Sequence, residues 1–143
     1  MRHRVPPPTP HLRTHWTRAY TVLEFHGEID IAAAVQMIPH LDAATAEPRP
    51  RIIIDLTPTE FFDGSGLHLL CRTRRQAEER DGHLLLVCPH PLTLRILHTV
   101  HLADVFHPAR TLQEVLGRPT PAHGPDPGPD SPPPTEGTTD AIS

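Results

Sequence analysis

Lysine is absent from this chain; all 13 of its basic residues are arginine. Every mechanism that depends on a lysine is thereby excluded. Cysteine is nearly absent too. Cys71 and Cys88 are the whole complement, with no CxxC pair and no disulfide framework, so a reducing interior is the expectation. No apolar run approaches the length of a membrane span, and the first residues carry arginine and histidine rather than the apolar stretch of an export signal. A strong net charge is also missing: the balance is −4 with pI near 6.3. No basic stripe with interleaved aromatics appears, which argues against nucleic acid as a partner. These absences together predict a soluble, cytoplasmic protein that binds neither membrane nor nucleic acid.

Proline, by contrast, is plentiful, and most of the 19 prolines lie outside the middle of the chain. Pro6-Pro7-Pro8 and Pro10 crowd the first ten residues. Beyond Gly117 the sequence turns to Pro, Gly, Asp, Ser and Thr, including Pro132-Pro133-Pro134, with almost nothing to bury. Such a segment cannot recover the entropy lost on ordering. The expected organisation is a flexible segment over residues 1–10, one globular domain over 11–117 and a disordered, proline-rich tail over 118–143. The middle part is long enough for a single core.

Within that domain, His11–Trp16 alternates loosely and Tyr20–Phe25 is rich in β-branched and aromatic residues, which predicts a hairpin joined near Thr17-Arg18. Gly27–Asp30 reads as a turn, and Asp30 as the N-cap of a helix from Ile31 to Ala46. Pro39 interrupts that helix, where an interior proline costs about 3 kcal/mol. Either the helix starts late or it bends. Arg51–Leu56 is an unbroken apolar run suited to a central parallel strand. A helix from about Ser65 to Arg80, with Leu67, Leu70 and Cys71 on one face, ends at Asp81-Gly82 and leads into a strand over Leu84–Cys88. Strand, helix and strand with short links form a βαβ unit. A third helix opens at Pro91, with Leu92, Ile96, Leu97 and Val100 expected inward. A short strand near Val105-Phe106 and a capping box at Thr111–Glu114, opening a last helix that closes at Gly117, complete the domain. The predicted fold is a small α/β domain with a mixed sheet: an N-terminal hairpin, then parallel βαβ units packed with helices.

The chemistry concentrates in Glu60-Phe-Phe-Asp-Gly-Ser-Gly-Leu67, a loop between strand and helix, where α/β proteins place function. It offers one hydroxyl, Ser65, between two glycines, with Asp63 two residues before it. A hydrolase elbow would need Gly-x-Ser-x-Gly, and the glycines here are misplaced. A phosphate-binding P-loop would be longer and would carry a lysine. Two readings stay open. Ser65 merely caps the helix while Gly64 and Gly66 permit the turn, or Ser65 is a modification site left uncovered by its glycine neighbours. Asp55, at the end of the central strand, lacks the acidic pair and the lysine of a receiver-type phosphoacceptor and reads as a residue bonding loop amides. His98-x-x-His101, and His68 near Cys71, approach metal-ligand spacing. With 12 histidines scattered along the chain, such pairs are expected by chance.

Taken together, Gly27-Glu-Ile-Asp30, Ile52-Ile-Ile-Asp-Leu56, Phe62-Asp-Gly-Ser-Gly-Leu67, Leu84-Leu-Leu-Val87 and Leu102-Ala-Asp-Val-Phe106 resemble the STAS domain, and within it the anti-sigma factor antagonists of bacteria. The family usually has Asp-Ser-Ser-Gly-Leu where this chain has Asp63-Gly-Ser-Gly-Leu67, and the serine before the glycine is the one phosphorylated. The resemblance therefore implies phosphorylation at Ser65 and a partner surface including Glu28, Asp30, Asp63, Gly64, Ser65 and Gly66. Gly64 replaces the family's first serine. Ala33 stands where threonine is frequent, and His101 where a glycine commonly closes the third helix. The implied cycle is one of partner switching, and the chain in it is not an enzyme. Unphosphorylated, the protein binds an anti-sigma factor that is also an ATP-dependent serine kinase and so releases a sigma factor. Phosphorylation of Ser65 ends the complex and a phosphatase resets it. The ATP belongs to the partner, so the chain needs no cofactor or metal of its own. The alternatives are an unphosphorylated STAS scaffold, a subunit of a lipid-transport complex, or an enzyme or metal protein.

Overall fold

The computed structural model describes residues 7–118. Residues 1–6, and the expected tail apart from Arg118, lie outside them. Strand β1 (Leu12–Thr17) pairs antiparallel with β2 (Tyr20–Phe25) through a two-residue turn in which Arg18 and Ala19 take φ of 50° and 68°. Positive φ at both central positions matches the twist of the flanking strands, so the hairpin closes despite the absence of glycine. Strand β3 (Gly27–Ile29) follows, then helix α1 (Ile31–Ala44), β4 (Arg51–Asp55), β5 (Thr59–Phe62), α2 (Gly64–Glu79) and β6 (His83–Val87). Helices α3 (Pro91–Thr99), α4 (Ala103–Phe106) and α5 (Leu112–Leu116) complete the order.

The main sheet runs β1-β2-β4-β6, with β2, β4 and β6 parallel. Its two faces explain the apolar run of β4. Ile52 and Ile54 join Leu23, Phe25, Leu84 and Leu86 in a core under α1 and α2, which contribute Met37, Leu41, Leu69 and Leu70. Ile53 points the other way, into a smaller cluster with Tyr20, Val22, Val87, Ala109 and Val115. A central strand buried on both faces has no position left for a polar alternation.

A second, two-stranded sheet pairs β3 with β5 in parallel. It replaces the turn expected over Gly27–Asp30, and its partner strand carries no period-2 signal. The reason is a bulge: Gly27 pairs with Thr59 but Glu28 with Phe61, so Glu60 and Phe61 both face outward while Thr59 and Phe62 are buried. A bulge that re-aims side chains in this way erases the alternation by which a strand is recognised.

Helix α1 runs unbroken through Pro39 and stops two residues short of the expected end. The carbonyl left without its donor belongs to Val35, an exposed residue on the solvent side of the helix. Helix α2 turns Leu69, Leu70, Thr73 and Ala77 fully inward, with Leu67 and Cys71 only partly covered. It ends in a Schellman arrangement: the Gly82 amide donates to Ala77 and the Asp81 amide to Glu78, with Asp81 at φ 62°. Glycine is required at 82, because a Cβ there would lie 2.1 Å from the Pro50 carbonyl oxygen.

Two further expectations are corrected. Within α3 only Leu97 is buried, and Leu92, Ile96 and Val100 are exposed. This nine-residue helix docks by the Leu94 and Leu97 edge, the other of the two apolar stripes its sequence allows. Val105-Phe106 is part of a single helical turn, α4, rather than a strand. The edge of β6 is taken instead by Ala109, which donates to Leu86 and accepts from Cys88.

Candidate functional site

The parallel register of β3 and β5 sets the Ile29–Phe62 pair side by side, so the next residues, Asp30 and Asp63, begin α1 and α2 at the same end of the molecule. Both are N-caps. Asp30 Oδ1 accepts from the Ala33 amide at 3.0 Å, and Asp63 Oδ1 accepts from the Ser65 amide at 2.8 Å. Each satisfies a backbone donor that the first helical turn leaves without a partner.

That geometry removes the capping role from Ser65. Its backbone is the donor and Asp63 is the cap, while its hydroxyl enters no hydrogen bond among the described residues. Ser65 is half-buried and its glycine neighbours differ sharply from each other. Gly64 is exposed, and a Cβ there would meet nothing within 4 Å. Gly66 is buried, and a Cβ there would come within 2.5 Å of the Phe62 ring. Gly64 therefore leaves the hydroxyl uncovered, while Gly66 lets α2 lie against β5. The arrangement presents a nucleophilic oxygen to an outside agent, and among the described residues no base is hydrogen-bonded to it.

Glu28 is exposed beside Phe61, and Asp30 is half-buried. All six residues predicted for the site thus lie at the joined ends of β3–α1 and β5–α2. Exposed apolar side chains border them: Ile31 at 71%, Val35 at 64% and Phe61 at 53% of full exposure. Sequence reading missed these three. Ile31 and Val35 were visible in principle, since they fall off the stripe of Ala33, Met37 and Leu41, which packs inward at a spacing of four.

Asp55 does what a strand-end carboxylate was expected to do. It is buried and accepts from the Thr57 amide at 2.9 Å. Next to it, His90 Nε2 lies 2.9 Å from the Leu56 carbonyl oxygen and ties the start of α3 to the loop before β5. Among the described residues no three histidine, cysteine or acidic side chains gather in a way that could hold a metal ion, His98, His101, His68 and Cys71 included. Among the same residues, no helix is long and apolar enough to cross a membrane.

Comparison with known proteins adds independent findings. The family model of the STAS domain matches residues 11–115. The fold is similar to that of an anti-sigma factor antagonist from Mycobacterium paratuberculosis, with a TM-score of 0.67 and 27% identity over 76% of this chain and 94% of that one. It is also similar to an anti-sigma-factor antagonist (STAS) domain protein from Planctomyces limnophilus, with a TM-score of 0.64 and 26% identity over 73% and 94%. In sequence, 60 residues are 38% identical to part of sulfate transporter 1.2 of Arabidopsis thaliana, which is 40% of this chain but only 9% of the transporter.

Proposed function

The chain belongs to the STAS domain family, and from that premise we propose that it is an anti-sigma factor antagonist, switched by phosphorylation of Ser65. The observation that carries this reading is the Ser65 hydroxyl: half-buried, without a hydrogen bond among the described residues, flanked by the open Gly64 and held at the start of a capped helix. In the unphosphorylated state the face around Ser65, including Glu28, Asp30, Asp63, Gly64 and Gly66, docks on an anti-sigma factor and displaces a cytoplasmic sigma factor. The partner binds ATP and acts as the kinase. Ser65 Oγ attacks the γ-phosphorus, the bond to the β-phosphate oxygen breaks, ADP leaves, and the hydroxyl proton passes to a base of the partner. A phosphatase uses water to return serine and inorganic phosphate.

Magnitudes favour a switch at the interface over a switch in the fold. A phosphoserine adds about −1.5 to −2 charge. The helix N-terminus favours that charge by about 0.3–1 kcal/mol, and Asp63 opposes it by about 1 kcal/mol in a water-like dielectric. These terms nearly cancel. Burying the same dianion against a surface shaped for a neutral hydroxyl costs about 2–5 kcal/mol, or roughly thirty- to several-thousand-fold in affinity.

Ser65→Ala is expected to bind the partner and resist phosphorylation, and Ser65→Asp to lose binding while melting at the wild-type temperature. A pull-down in which Ser65→Asp binds as tightly as wild type rejects the mechanism. The transporter likeness favours a second reading, a STAS module that serves as a scaffold or transport-complex subunit and is never phosphorylated. Incubation with an anti-sigma factor kinase and ATP, followed by intact mass, separates the two readings: one added phosphate on Ser65, or none.

A further inference from the structure

Resting on Ser65 as the phosphate acceptor, we propose that His68 is the phosphate's counter-charge within the chain. One helical turn beyond Ser65, its imidazolium pairs with the phosphoserine and holds it in the dianionic form.

Among the described residues, the charged groups named around the site are carboxylates or cations already paired. From β3 and the start of α1 come Glu28 and Asp30, and from β5 and its loop come Glu60 and Asp63; all are carboxylates. The first nine residues of α1, which packs against α2, contain no ionisable side chain. The next basic residue along α2, Arg72, is committed to Asp42 at 2.7 Å. His26 is held by Glu24 at 2.9 Å, and His90 by the Leu56 carbonyl. His68 is exposed and takes part in none of the hydrogen bonds or ion pairs among the described residues.

Its position suits the task. Residues three and four apart on a helix are surface neighbours, with Cβ atoms about 5–6 Å apart. Helical side chains also lean toward the N-terminus, over the turn before their own. His68 therefore shares a helix face with Ser65, three residues back, and Gly64, four back, and its side chain stands clear of the Gly64 Cβ position. Gly64 has no side chain, and the space a Cβ would occupy there is empty to 4 Å. The imidazole has room to fold over the first turn and reach a phosphate on Ser65 Oγ. Imidazole changes charge between about pH 5 and 8, which spans the second ionisation of phosphoserine near 6. The pairing keeps the phosphate doubly charged, and the partner excluded, at lower pH than the surrounding carboxylates alone would allow.

The test uses the full chain with phosphoserine installed at position 65 by genetic encoding, so that no kinase is required. Phosphorus NMR then follows the second ionisation of the phosphate. Replacing His68 by Gln is expected to raise its midpoint by about 0.2–0.4 of a pH unit, and His68→Arg to lower it below wild type. High salt should shrink both differences. His68 is exposed, so both variants should melt with wild type, and circular dichroism checks this. Wild-type and His68→Gln titrations that superimpose would overturn the proposal. A chain that the kinase never modifies sinks the phosphorylation reading and leaves the NMR result untouched, so the two failures are distinguishable.

Discussion

Cys71 and Cys88 occupy contrasting environments, and the contrast makes each a reporter. Cys71 is partly exposed on α2, whereas Cys88 is fully buried at the end of β6. Burial disfavours the thiolate and pushes the Cys88 pKa above its ordinary value of 9.0. Below that value both folded and unfolded chains carry the thiol, and Cys88 contributes no pH dependence. Above it the unfolded chain loses the proton while the folded chain keeps it, so stability falls as pH rises. The fall approaches about 1.4 kcal/mol per pH unit for this one group. Denaturant titrations between about pH 8 and about pH 10 should show wild type losing more stability than Cys88→Ala. A disulfide reagent should modify Cys71 in the native state and Cys88 only on unfolding. At the site, Gly64→Ala should leave stability unchanged or raise it by up to about 1 kcal/mol, because the space is open and the unfolded chain loses freedom. Gly66→Ala should cost about 1–3 kcal/mol through its collision with Phe62. Melting both variants checks the pair, and equal costs would refute the asymmetry of the two glycines.

Elements that announce themselves by local chemistry were legible in the sequence. Asp30 before an Ala-rich run, Thr111 three residues before Glu114, and Asp81-Gly82 at the end of α2 each mark a boundary through a backbone donor or acceptor needing a partner, and the structure uses all three. The Ser65 loop was legible for the same reason, although the cap turned out to be Asp63. Elements defined by a distant partner were not legible. β3 is three residues long and becomes a strand only because β5, with its bulge at Glu60, lies alongside. α3 has two apolar stripes, and the choice between them depends on where β6 and α4 stand. Pro39 looked like a break because propensity is local, yet packing of Met37 and Leu41 on either side holds the helix through it. The β1–β2 turn offers a test at this scale. Arg18 and Ala19 hold positive φ at a cost of about 1–2 kcal/mol per residue. Ala19→Gly removes that strain from one of them, and its gain is partly offset by the freer unfolded chain. Chemical denaturation should show a rise of about 0.5–1 kcal/mol.

Over the whole molecule, stability and candidate function occupy different regions. The two clusters of buried side chains lie on the faces of the β1-β2-β4-β6 sheet, the β3–β5 pair adding Ile29 and Phe62 to the larger one, whereas the proposed switch sits on the helix starts that follow that pair. A charge placed on Ser65 stands on the half-buried first turn of α2, beside Gly66, whose lack of a Cβ leaves the Phe62 ring unobstructed. The same separation makes the partner face testable without unfolding the domain. Phe61 is half exposed, projects beside Glu28 because of the bulge, and stands with Ile31 and Val35 as uncovered apolar surface on an acidic rim. Aromatic side chains near the centre of an interface carry a disproportionate share of its energy, about 2 kcal/mol or more on truncation. If the anti-sigma factor docks over Ser65, Phe61→Ala should weaken binding about thirty-fold or more while leaving the melting temperature within about a degree of wild type, since the ring covers little of the core. Calorimetry against the partner and a thermal melt together decide it. Wild-type affinity in Phe61→Ala would move the docking surface away from the β3–β5 end, and a large fall in melting temperature would make Phe61 part of the scaffold.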